Sequence, residues 1–148
     1  MSLQKQVMDK MKEAMKSKDT VALTALRALK SAFMLANTEA GAGELSEVEE
    51  LKIIQKQVKQ RKDSATVFTE QGRNDLAEPE LAEAAVLEQF LPEALSEEEI
   101  GNIVEKTIAD VGADGMKDMG KVMGIVSKQL AGQADGKTIS AIVKAKLA

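Results

Sequence analysis

The sequence predicts an all-α protein built from two small helical parts. Three observations carry that prediction. Ala, Leu, Lys, Glu, Gln and Met, the strong helix formers, dominate a chain of 148 residues that holds only two prolines. Apolar residues recur at three- and four-residue steps through most of the chain. No segment shows the alternate-residue pattern of a strand. Apolar residues make up 44% of the chain, enough for a core, but aromatics make up only 2%, three Phe with no Trp or Tyr. Leu, Ile, Val, Ala and the eight Met are therefore expected to fill it.

The elements follow in order. Residues 2–17 read as a helix with Leu3, Val7, Met8, Met11 and Met15 at its periodic positions. Lys18-Asp19 breaks it, and Asp19 can cap a second helix over about 20–37, which carries Leu23, Leu26, Leu29 and Phe33. TEAGAGEL, 38–45, reads as a polar loop. Ser46-Glu47-Val48-Glu49 is a capping box, Ser at the cap and Glu three residues on, and it opens a long helix to about Gln71 with Gly72 as its stop. The fourth helix spans about Asp75 to Phe90, with Pro79 near its start, where proline is tolerated, and Leu91-Pro92 at its end.

A second capping box, Ser96 to Glu99, opens a helix that reaches about Val111 and stops at Gly112. Asp114 can begin the next, which puts Met116, Met119, Met123, Val126 and Leu130 on one face. AGQADG makes the last turn, and the final helix holds Ile139, Ile142, Val143 and Leu147. The expected organisation is an amino-terminal subdomain of about four helices, 1–93, and a carboxy-terminal three-helix subdomain, 94–148.

Composition excludes several chemistries. Without Cys there is neither disulfide nor thiolate, and without His the commonest general base and metal ligand are missing. No apolar run approaches the roughly 20 residues of a membrane span. The polar start MSLQKQVMDK shows no secretory signal, so the cytoplasm is the expected location. The net charge of −4 means that any nucleic-acid binding must come from local clusters of lysine. The carboxylate runs EVEE and SEEE read as solvated helix starts, and no metal and no cofactor is expected.

GMKDMGKVMG, Gly115 to Gly124, poses a sharper question, because it contains the G-x-x-x-x-G-K of a phosphate-binding loop. Such a loop follows a buried strand and needs Ser or Thr after the Lys to hold magnesium. Val122 follows Lys121 here. The later GQADGKT, Gly132 to Thr138, ends correctly but spaces its glycines one residue too closely. Neither follows a strand, so nucleotide binding is not expected. A structural role remains for the glycines: Gly120 and Gly124 share a helix face that a neighbouring helix could approach closely, and Gly132 and Gly136 flank a tight turn.

KDMGKVMG followed by GQADGKTISAIVKAKL resembles the signature of the YqeY family. It also resembles the tail of the B subunit of tRNA-dependent amidotransferase. TALRALKSA and VKQRKDSATVFTEQGRNDLAEPELAEAAVLEQFLP are similar to further family segments, so the likeness runs from about residue 3 to 147. Phe90, where relatives often carry Tyr, and Pro79 depart from the pattern. The resemblance implies an all-helical fold and a tRNA-contacting module akin to the tail of a glutamine-dependent carbon–nitrogen ligase. The centres that hydrolyse glutamine and activate aminoacyl-tRNA lie in parts of the larger enzyme that this chain lacks. The residues agree with a chain that has no catalytic centre of its own. Amide transfer from glutamine needs a nucleophile, yet Ser46 and Ser96 are accounted for as caps. Ser127 and its neighbour Lys128 point about 100° apart on a helix.

The expected RNA-facing residues are Lys117, Lys121, Lys128, Lys137 and Lys144, the first three at i, i+4 and i+11 on one helix. Residues 96–148 carry seven Lys against eight Asp or Glu, so affinity depends on how the charges segregate. Backbone N–H groups near Gly132–Lys137 could also approach a phosphate. A second stripe, Lys52, Lys56 and Lys59, lies within a 60° arc of the long helix. Arg61 falls on that helix's apolar side and calls for a carboxylate, with Glu80 and Glu83 as candidates. Arg27 and Arg73 are expected to join the same interhelix ion-pair framework. The expected partner is tRNA, with an amidotransferase or other protein alongside it. The competing expectation is a protein-interaction module that takes a partner helix at Gly120 and Gly124.

Overall fold

The computed structural model describes residues 2–39 and 45–148. The fold is all-helical, and no strand occurs among the described residues. Among them seven α-helices follow in order: α1 Leu3–Ser17, α2 Thr20–Glu39, α3 Glu47–Glu70, α4 Asn74–Glu88, α5 Glu97–Val111, α6 Met119–Gln129 and α7 Gly136–Leu147. The chain divides into two compact units, Met1–Leu91 and Pro92–Ala148.

The first unit packs α1 on α2, α3 on α4, and α2 against both α3 and α4. Its core is Val7, Ala25, Leu26, Leu29, Phe33, Ile54, Val58, Ala84 and Leu87 with their neighbours, aliphatic but for Phe33 and Phe90. Side chains near in sequence set the helix starts. The Ser2 hydroxyl accepts the Lys5 N–H at 3.2 Å, and the Asp19 carboxylate accepts the Ala22 N–H at 3.0 Å. At Ser46 both halves of the capping box form: the Glu49 N–H donates to Ser46 Oγ (3.2 Å) and the Ser46 N–H to Glu49 Oε2 (2.7 Å).

Helix α2 runs on through Thr38 and Glu39, both expected in the loop, while the rest of that loop up to residue 44 lies outside the described residues. Pro79 is also placed differently from expectation. It lies inside α4, whose first residue is Asn74, and so beyond the first turn, where proline is tolerated best. The amide bond that proline forfeits would have gone to the Asp75 carbonyl, near the helix end, which limits the loss.

The second unit is a three-helix bundle in which each of α5, α6 and α7 touches the other two. Ile100, Val104, Val122, Val126, Leu130, Ile139, Val143 and Leu147 form its core. Ser96 and Glu99 complete the second capping box, and Gly112 closes α5 with φ +64°. The Leu95 N–H donates to the Gln133 carbonyl (3.0 Å) and Gln133 Nε2 to the Glu93 carbonyl (3.3 Å), tying the lead-in of α5 to the α6–α7 turn.

Two expectations are corrected here. Asp114 does not begin a helix. Its own N–H donates to Asp118 Oδ2 at 2.7 Å, Gly115 turns the chain at φ +89°, and a 3-10 turn over Met116–Asp118 leads into α6. The methionines fill the core only in part: Met8, Met15, Met34 and Met116 are exposed, while Met11 packs half-buried against the first core and Met119 and Met123 against the second. In the second core β-branched Ile and Val, stiffer in a helix, occupy most of the buried positions.

Candidate nucleic-acid interface

Helix α6 buries Val122 and Val126 and turns the opposite side to solvent. Lys121 and Lys128 stand on that open side, both exposed. Seven residues apart, they lie about 20° from each other around the helix and about 10.5 Å along it. Gly124 and Ile125 fall between them, Ile125 being 40% exposed. Helix α7 repeats the arrangement. It buries Ile139, Val143 and Leu147, and Lys137 and Lys144, again seven apart, are exposed with Ala141 between them. Lys117 is exposed too, but it belongs to the 3-10 turn and not to the α6 face to which the i, i+4, i+11 spacing assigns it.

None of these five lysines forms an ion pair among the described residues. The contrast is Lys146, whose ammonium reaches Glu105 on α5 at 2.6 Å. Its stem passes Gly101, which is buried: a Cβ at Gly101 would stand 3.7 Å from Lys146 Cε. That is ordinary van der Waals contact, so the crossing does not require glycine at this position.

The named glycines divide. Gly120 and Gly124 are exposed, and a Cβ on either would meet nothing within 4 Å, so no other helix of the bundle approaches them. The expected close approach is therefore absent within the bundle. Gly132 turns at φ +84°, as a tight turn needs, whereas Gly136 is the first residue of α7 and has no positive φ. The start of α7 is already filled: Asp135 Oδ1 accepts the Thr138 N–H at 2.6 Å. A phosphate arriving there would meet that carboxylate, so the backbone N–H groups of this turn are a poorer anion site than expected.

The arginine framework reduces to one half-buried pair. Arg61 Nε lies 3.4 Å from Glu83 Oε1, and Arg61 Nη1 also donates to the Gln57 carbonyl (3.1 Å) and Gln57 Oε1 (2.8 Å). Arg73 pairs locally, through Nε and Nη2, with Asp75 two residues on. The hydrogen bonds from Arg73 hold the Asp75 carboxyl below its ordinary range and raise the guanidinium in turn. Arg27 is exposed, and neither it nor Glu80 forms an ion pair among the described residues, so these two stand outside the framework. Helical position alone could not separate Glu80 from Glu83, because three residues on α4 still share one face.

Glu50 belongs by sequence to a solvated acidic run and is in fact buried, 6% exposed. The Gln4 N–H, in the first turn of α1, donates to its Oε2 at 3.3 Å. A carboxylate there opposes the partial positive charge of the helix start. Among the described residues no group of three or more acidic side chains is placed to hold a metal ion, and no helix is long and apolar enough to cross a membrane.

The fold and this surface define a class: a two-unit helical chain whose small carboxy-terminal bundle displays exposed lysines, the five above having no ion pair among the described residues. The chain belongs to the YqeY family, whose profile, described as Yqey-like protein, matches residues 4–147. It is 34% identical over 123 residues to altered inheritance of mitochondria protein 41, mitochondrial, of Clavispora lusitaniae, covering 81% of this chain and 69% of that one. The protein of the same name from Pyrenophora tritici-repentis is 32% identical over 127 residues, 84% of this chain and 68% of its own length. A partial likeness, 37% identity over 73 residues, links 47% of this chain to 12% of the E subunit of the glutamyl-tRNA(Gln) amidotransferase of Thermococcus gammatolerans.

Proposed function

We propose that this chain is a tRNA-binding helical module that holds RNA by its phosphates and has no reaction centre of its own. The observation that carries the reading is the set Lys117, Lys121, Lys128, Lys137 and Lys144, all exposed and all without a carboxylate partner among the described residues. The amidotransferase with which the chain shares partial likeness acts, by its name, on glutamyl-tRNA(Gln), which supports tRNA as the anion. With three Phe and no Trp or Tyr, stacking on bases is a small term, so recognition is of phosphate and shape. The location read from the sequence is the cytoplasm. The two fungal relatives are mitochondrial by name, and fractionation of cells decides between the compartments.

Filter retention of labelled tRNA across a salt series tests the proposal. Lys121→Glu with Lys137→Glu should weaken binding about tenfold or more at low salt. It should also flatten the salt dependence by about 1.5 log units per log unit, the share of two phosphate contacts. Unchanged retention and slope would remove the lysine assignment.

A second reading has its own observation. Gly120 and Gly124 have open space above them beside exposed Ile125, a surface that a protein helix could cover. An amidotransferase or another protein would then be the partner. A pull-down that keeps its partner after ribonuclease treatment favours this reading, and one that loses it favours RNA.

A further inference from the structure

Unit Met1–Leu91 carries a basic stripe that the tRNA reading does not use. On α1, Lys5, Lys12 and Lys16 are exposed, and none forms an ion pair among the described residues. At i, i+7 and i+11 they fall within about 40° of one another around the helix, over roughly 16 Å of its length. They stand opposite Leu3, Val7 and Ala14, which are buried in the core. Of the two acids on α1, Glu13 is taken by Lys10 at 3.2 Å, and Asp9, half-buried, lies one turn from both Lys5 and Lys12 and forms an ion pair with neither. The comparable row on α3 is weaker, because Lys59 is engaged by Asp63 at 3.2 Å, leaving Lys52 and Lys56.

We infer that the α1 stripe is a second phosphate-binding surface, so that the amino-terminal unit also binds tRNA. The inference rests on the tRNA reading above and extends it to the amino-terminal unit. Three ammonium groups without an ion pair along one helix line suit a partner with regularly spaced negative charge, and a nucleic-acid backbone is such a partner. An anionic lipid surface fits less well. A helix lying in a membrane interface buries its apolar face among the lipids, and the apolar face of α1 is already spent on the protein core. The large apolar side chains left at the margin of the stripe are Met8, 38% exposed, and Met15, 52% exposed.

The test uses the full chain with Lys5→Gln, Lys12→Gln and Lys16→Gln together. Glutamine keeps nearly the helix propensity of lysine, so α1 is retained, and circular dichroism checks this. Anisotropy of labelled tRNA is read from low to high salt, beside the Lys121→Glu, Lys137→Glu variant and beside phosphatidylserine vesicles. The expected result is weaker tRNA binding at low salt, with a salt slope shallower by about 2 to 3. If the α1 variant keeps the parent's affinity and slope while the α6–α7 variant loses them, the inference is overturned and the tRNA reading stands. If the parent chain binds no tRNA, both fall. If the α1 variant loses only vesicle binding, the stripe is a lipid contact and the inference is overturned.

Discussion

Arg61 sits on the core-facing side of α3 with its side chain 12% exposed, and Glu83 across from it on α4 is 16% exposed. A guanidinium removed from water to that degree is costly alone, and Glu83 with Gln57 offsets the cost. Removing one partner should therefore do more harm than removing both. Glu83→Ala is expected to lower stability in denaturant titration by about 1–3 kcal/mol. Arg61→Met with Glu83→Leu, which replaces the charges by apolar groups of similar size, should lie near the parent. A double variant as unstable as the single would mean that the pair contributes net stability of its own. By contrast Lys62–Glu88, which also joins α3 to α4 at 2.7 Å, is exposed on both sides and should matter little.

The helices show which features the sequence could disclose. Both capping boxes were legible because they are local, each closing within four residues. Ser96→Ala should accordingly cost about 1 kcal/mol, read in denaturant as weaker protection of α5 amides, and Ser96→Asp should restore most of it. Equal protection in Ser96→Ala would show that packing alone fixes the start of α5. Asp114 failed as a cap because capping needs the chain to enter the helix extended. Gly115 at φ +89° instead sends it through a 3-10 turn, carrying Lys117 off the α6 face. Glu50 was hidden for another reason. Its burial depends on the start of α1 meeting α3, a contact between residues 46 positions apart. The α6 and α7 lysine pairs were legible by spacing, while their lack of acidic partners depends on which carboxylates the bundle brings near, as Lys146 and Glu105 show.

At the scale of the molecule the two cores share no residue: one is built from α1–α4 with Phe90, the other from α5–α7 with Leu130. Separate cores allow each unit to unfold on its own. A unit as small as Pro92–Ala148 has a net stability of only about 3–9 kcal/mol by the usual per-residue scale. Leu130, 2% exposed, is among its larger buried side chains, and truncating such a residue costs about 2–5 kcal/mol. Leu130→Ala should thus consume much of that stability and leave the other core untouched. Hydrogen exchange reads the two separately: amides of α5–α7 should lose protection while those of α1–α4 keep theirs. Leu87→Ala, at a site 0% exposed in the first core, should do the reverse. Loss of protection in all seven helices from either substitution would mean that the units fold as one.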